Sequence, residues 1–137
     1  MTPADIALAR RAVACKGWRW MPGMLHGMVV GDKLTSCYRI GDLTLYLDAD
    51  RVPDLADPAT LGCLLALVRE AWRCPTVYVR QSTTRRKSDG VIAWEVCDLY
   101  LDAEACRALG VPREGSVGFW GHGSEAEALV ATLEAKP

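Results

Sequence analysis

The sequence predicts an α+β fold, an antiparallel sheet of about five strands (a meander plus a long hairpin) packed with a central apolar helix and terminal helices. Three observations carry this reading. Apolar residues recur at helical spacing in separate segments, and in others they alternate at period two. Capping residues and Gly-Asp or Pro-Gly dipeptides mark the joins. The chain has 137 residues, 50% of them hydrophobic and 24% charged, which suits one domain over 1–137 and excludes a disordered or low-complexity chain. At this length burial alone supports a fold, without a metal or a disulfide.

Residues 3–15 form the first helix. Thr2 is its N-cap, Pro3 suits the first turn, Asp5 stands at the capping-box position, and Gly17 supplies the stop. The segment Trp18-Arg19-Trp20-Met21-Pro22-Gly23-Met24 is aromatic and irregular, with a turn at Pro22-Gly23. Three strands follow, at about 24–30, 33–40 and 43–47, divided by Gly31-Asp32 and Gly41-Asp42. Residues 48–57 read as an acidic loop that ends on Asp57, the cap of a helix over 59–73. Pro58 opens that helix and Pro75 enforces its end. Its Leu61, Leu64, Leu65, Leu67, Val68 and Trp72 spread nearly all round, so it needs cover from a sheet and the terminal helices, or from a second copy in a homodimer.

Residues 76–81 and 91–100 are β-branched and aromatic, and form a hairpin whose polar tip ends in Ser88-Asp89-Gly90. Asp102 caps a short helix ending at Leu109-Gly110. After a glycine-rich stretch, Ser124 and Glu127 make a capping box for the last helix, 125–135, with Leu129, Val130 and Leu133 inward.

Cysteines stand at 15, 37, 63, 74, 97 and 106, with no pair close enough to form a zinc knuckle, and His26 and His122 are isolated. The expectation is reduced structural thiols and no metal. The acidic loop lacks the mid-loop glycine and closing glutamate of a calcium site. No apolar run approaches the ~18 residues that span a bilayer, and the acidic N-terminus is unlike a secretory signal, which predicts a cytoplasmic protein with no membrane partner.

Candidate binding residues fall in three places. Arg80, Arg85, Arg86 and Lys87 concentrate positive charge on the hairpin arm, suited to phosphates or to an acidic protein surface. Residues 1–94 carry 13 basic and 9 acidic groups, and 95–137 carry 3 and 8, so the chain is charge-polarised despite its net −1. Trp18 and Trp20 suit a stacked base or a protein interface. Gly121, His122, Gly123 and Ser124 lead into a helix N-terminus, where backbone N–H groups attract an anion. That stretch lacks the ending of a P-loop, and no carboxylate completes a triad with His122 and Ser124, so no catalytic residue is assigned and no cofactor is expected.

The segments Trp18 to Met24, 54–72 and 123–135 together resemble small uncharacterised proteins encoded by tailed phages and prophages. The resemblance covers about a third of the chain and brings no catalytic residues. It implies a bacterial cytoplasm and a role accessory to infection. The expected function is a non-catalytic, counter-defence type inhibitor that binds a host protein or a protein–nucleic acid complex. The alternatives are sequestration of a nucleotide signal and, behind it, a small enzyme or a direct nucleic-acid binder.

Overall fold

A computed structural model of the chain describes residues 1–31, 33–41, 50–85, 90, 92–99 and 117–136. Among them the order is α1 (Pro3–Ala14), β1 (Leu25–Val30), β2 (Lys33–Arg39), β3 (Arg51–Pro53), α2 (Pro58–Ala71), β4 (Tyr78–Arg85), β5 (Ile92–Leu99), β6 (Val117–His122) and α3 (Glu125–Glu134). The α+β class with antiparallel pairing is as expected. The strands divide into two sheets, however, ordered β2-β1-β3 and β4-β5-β6.

Two strands arise where the sequence suggested loops. β3 lies in the acidic segment, where Val52 and Pro53 are buried; two apolar residues are too short a run to register as a strand. β6 occupies the glycine-rich stretch, where Gly118 and Gly121 dilute the β-branched signal. The hairpin's first strand runs on to Arg85, so part of the expected polar arm is strand. The expected strand at 43–47, the short helix after Asp102 and the arm tip at 86–89 lie outside the described residues.

All three helix starts are as the sequence implied. Thr2 and Asp5 complete a capping box on α1, and Ser124 and Glu127 complete one on α3. One apolar cluster draws on α1 (Leu8, Ala9, Ala12), α2 (Leu64, Val68, Trp72), α3 (Leu129, Val130, Leu133) and strands of both sheets, including Val52 and Val96. α3 is deeply enclosed, with Ala128, Leu129, Val130 and Thr132 all at 0% exposure. Its small residues let neighbours approach closely. The Trp72 indole N–H donates to the Thr132 carbonyl at 3.0 Å and locks α2 to α3. Arg11 of α1 grips Glu134 of α3 through two hydrogen bonds of 2.9 and 2.7 Å.

The start of α2 organises the first sheet. The Asp57 carboxylate accepts the Thr60 N–H and the Thr60 hydroxyl, each at 2.9 Å. It also accepts both terminal nitrogens of Arg39, at 3.1 and 2.9 Å. Arg39 in turn donates to the Gly23 carbonyl at 2.6 Å, and the Thr60 hydroxyl accepts the Leu25 N–H at 2.8 Å. One carboxylate therefore ties α2 to both β1 and β2.

α2 ends in a hydrogen-bonded left-handed turn. Arg73 N–H donates to the Glu70 carbonyl at 3.1 Å and Cys74 N–H to the Arg69 carbonyl at 2.9 Å. Arg73 sits there at φ 50°, a conformation that favours glycine. Removing its Cβ relieves the strain, so Arg73→Gly should raise stability by about 0.5–1 kcal/mol in urea denaturation.

Asp57 supplies a second prediction. The Arg39 guanidinium above all, then the Thr60 donors, hold its carboxyl down to about 2 from an ordinary 3.8. The folded chain binds this proton less readily than the unfolded one. The stabilisation is therefore complete above about pH 4 and is lost as pH falls towards 2. Asp57→Ala should cost about 1–2 kcal/mol at neutral pH and flatten that limb of the acid denaturation curve.

Candidate functional site

Alternation along the strands sorts the first sheet into two faces. Val29 and Leu34 stand opposite each other and pack on the core. His26, Met28 and Val30 of β1 therefore turn the other way. Across the sheet they meet Tyr38, Thr35 and Lys33 of β2, and on the other edge Pro53 and Arg51 of β3.

Tyr38 reaches this face only because of a bulge. His26 pairs with Tyr38 and Met28 with Thr35, so Ser36 and Cys37 together oppose Gly27. The extra residue reverses the alternation beyond it and brings Tyr38 to the same side as Thr35 and Lys33. Gly27 is the residue that permits the close approach. A Cβ there would lie 2.7 Å from Leu34 Cγ and 2.9 Å from the Thr35 carbonyl oxygen.

The resulting outer face is unusually apolar for exposed surface: Met28 is 37% exposed, Val30 57% and Tyr38 59%. A ladder of rings continues it. Tyr38 lies 6.5 Å from His26, His26 5.7 Å from Trp20, and Trp20 5.4 Å from Trp18 in an edge-to-face contact at 85°. Trp18 and Trp20 are half-buried, seated on Met24, Ile40 and Leu67. Between them Arg19 points away and clasps Glu70 of α2 at 2.7 and 2.6 Å, which fixes the segment to the helix. The Trp18 indole nitrogen is buried and has no hydrogen-bond partner.

His26 is itself buried, with Nδ1 3.5 Å from an Arg51 terminal nitrogen. Burial first, and the Arg51 charge second, push its imidazole below the ordinary 6.5. The ring is neutral at pH 7 and serves as a rung of the ladder. The face as a whole offers π surfaces, a thioether and the cations Lys33 and Arg51, a set suited to adhesion.

The other expected residues are distributed differently. Arg80 is paired: its Nε donates to Glu95 Oε1 at 2.6 Å across the β4–β5 ladder. Arg85 ends β4, where the register slips between Gln81 and Arg85, and Arg86 and Lys87 lie outside the described residues. Gly121 and His122 close β6. The Gly123 and Ser124 N–H groups donate to Glu127 Oε2 at 2.7 and 3.2 Å, so the chain's own carboxylate occupies the cradle at the start of α3. Cys15, Cys37, Cys63, Cys74 and Cys97 are not joined in disulfides, and burial pushes the Cys15 and Cys63 thiols up. Among the described residues, no three His, Cys, Asp or Glu side chains converge as a metal site would require, and no helix is long and apolar enough to cross a membrane.

The sequence pointed to Trp18 and Trp20 but not to Tyr38, His26 or Arg51. The alternation of His26, Met28 and Val30 was a usable signal. The bulge that brings Tyr38 beside them was not, because nothing local distinguishes it.

His26 yields a test of this geometry. The folded chain takes up its proton less readily than the unfolded chain, so stability is full above about pH 6.5 and falls as pH drops below it. Urea midpoints at about pH 7.5 and about pH 5.5 should differ for the native sequence, and the difference should shrink in His26→Gln. Compared with family models, curated proteins and solved structures, the chain matches none.

Proposed function

We propose that this chain is a non-catalytic binding protein that grips and inhibits a host macromolecule through the outer face of its first sheet. One observation carries the proposal: Met28, Val30 and Tyr38 are exposed side by side and run into the Trp20–Trp18 ladder. An exposed apolar patch with aromatic anchors is the usual make-up of an interface centre. Lys33 and Arg51 flank it, so the complementary surface is apolar with an acidic rim, as on a protein that itself handles nucleic acid. The basic residues Arg85, Arg86 and Lys87 supply a second, steering contact. In a phage or prophage setting, within the bacterial cytoplasm, such binding acts as counter-defence.

A nucleotide signal is the second reading. The buried Trp18 indole N–H without an acceptor favours it, since a ligand carbonyl or phosphate oxygen would supply one.

The two readings separate by mutation and native mass measurement on complexes isolated from producing cells. For a macromolecular partner, Tyr38→Ala and Val30→Asp should each weaken binding by about tenfold or more, with folding retained. The triple change of Arg85, Arg86 and Lys87 to Ala should weaken it chiefly at low salt, where screening is least. A retained nucleotide lost in Trp18→Phe and kept in Val30→Asp would replace the macromolecular reading. Full affinity in Tyr38→Ala and Val30→Asp would reject this face as the contact surface.

A further inference from the structure

The ends of α1, α2 and α3 carry a charge pattern that the proposed binding face does not use. Each helix places a cation directly after its C-cap: Lys16 after Cys15, Arg73 after Trp72 and Lys136 after Ala135. These three ends meet at one corner. A Cβ at Gly17 would lie 3.1 Å from Leu133 Cδ1 and 3.6 Å from Ala71 Cβ, so the chain leaving α1 touches the last turns of α3 and α2. Two ion pairs hold the corner together, Arg11 on Glu134 and Arg19 on Glu70. Lys136 Nζ stands 5.1 Å from the centre of the Trp72 ring, and Arg73 follows that ring in the chain.

Those ion pairs engage the carboxylates in the last turns of α2 and α3. Among the described residues Lys16, Arg73 and Lys136 pair with no carboxylate, and Lys16 and Arg73 are exposed. The helices themselves account for part of the pattern, since each C-terminus offers about half a negative charge to a nearby cation. They do not account for Arg73. α2 already has Arg69 in its last turn, and position 73 stands at φ 50°, where glycine would close the turn without strain. An arginine kept in a strained turn, exposed and without a carboxylate, points to a use outside the fold.

We propose that Lys16, Arg73 and Lys136 form a contact surface for the phosphate backbone of a nucleic-acid duplex, gripped without regard to base sequence. Point charges carried on the ends of packed helices suit phosphates fixed along a duplex. Single strands are held by stacking their bases on exposed rings, and the rings at this corner are engaged in the fold. Trp72 is 5% exposed, with Lys136 over it, and Trp18 is half-buried against Met24, Ile40 and Leu67. The surface is tested with nucleic acid alone, so it stands or falls apart from the function proposed above.

A fluorescein-labelled DNA duplex is titrated with the full chain and followed by anisotropy. Three phosphate contacts give a salt slope of about 2.7, so affinity should fall at least about twentyfold between about 50 and about 150 mM salt. Arg73→Gly should weaken binding about tenfold at about 50 mM salt and lower the slope by about 0.9, while Arg73→Lys should keep both. Because Arg73→Gly relieves the strained turn, lost binding in that variant does not reflect lost folding. Lys16→Gln and Lys136→Gln should each weaken binding in the same way, and the losses should persist when Arg85, Arg86 and Lys87 are changed to Ala. Undiminished affinity or slope in Arg73→Gly would overturn the proposal. So would no binding of the duplex by the native sequence at about 1 mM chain and low salt. Single-stranded DNA, polyglutamate or phosphatidylglycerol vesicles binding as tightly as the duplex would overturn it too, by giving the corner to another class of partner.

Discussion

The Asp57 carboxylate holds the first half of this molecule in register. It caps α2, takes both terminal nitrogens of the Arg39 guanidinium end-on, and through the Thr60 hydroxyl reaches the Leu25 N–H at the start of β1. Arg39 extends the same chain to the Gly23 carbonyl, in the turn that leads out of the tryptophan segment. A helix start, two strand ends and a turn thus share one anion. The aromatic ladder depends on this arrangement, because Trp18 and Trp20 are seated between the turn and α2, with Leu67 of that helix beneath them. Charge-assisted hydrogen bonds of this kind are stronger than neutral ones and directional, which is what positioning a sheet on a helix requires.

Bulges interrupt both sheets, and in the first a bulge decides which side chains share a face. Opposite Gly27 an additional residue in β2 turns Tyr38 outward, and opposite Glu95 an additional residue in β6 interrupts the ladder. Because side chains alternate with a period of two, a single inserted residue exchanges the faces of everything beyond it. The exposed apolar face of the first sheet is therefore a consequence of backbone register as much as of residue type. Glycine is needed at the first site for a steric reason, since any Cβ at position 27 would meet Leu34 and the Thr35 carbonyl.

Four of the 16 Lys and Arg side chains in the sequence are engaged in ion pairs among the described residues. Arg11 holds Glu134, Arg19 holds Glu70, Arg39 holds Asp57 and Arg80 holds Glu95. The first two join exposed partners and act mainly as orientation, since solvent weakens such pairs. The last two reach nearly buried carboxylates and are structural in a stronger sense: removing either arginine strands an anion. What remains for a partner on the first sheet is an apolar centre with Lys33 and Arg51 at its margins, a division between adhesive core and charged rim that protein interfaces commonly show.

The sequence by itself determined the local structure: the α+β class, the three capped helices at Thr2, Asp57 and Ser124, the β1–β2 pair and the hairpin of β4 and β5. Each of these rests on neighbouring residues, where a cap, a turn dipeptide or a short periodic run contains the whole cause. Trp18 and Trp20 were legible as candidates for the same reason, as exposed-looking aromatics in an irregular segment. Only the tertiary structure decided that the strands form two sheets, that Val52-Pro53 and the glycine-rich 117–122 become strands, and that Arg80 is neutralised by Glu95 while the cradle at Gly123 and Ser124 is closed by Glu127. It also decided that Tyr38, His26 and Trp20 stand together. These outcomes depend on long-range pairing and on bulges whose one-residue shifts leave no periodic trace, so the physical information exists only once the strands have met.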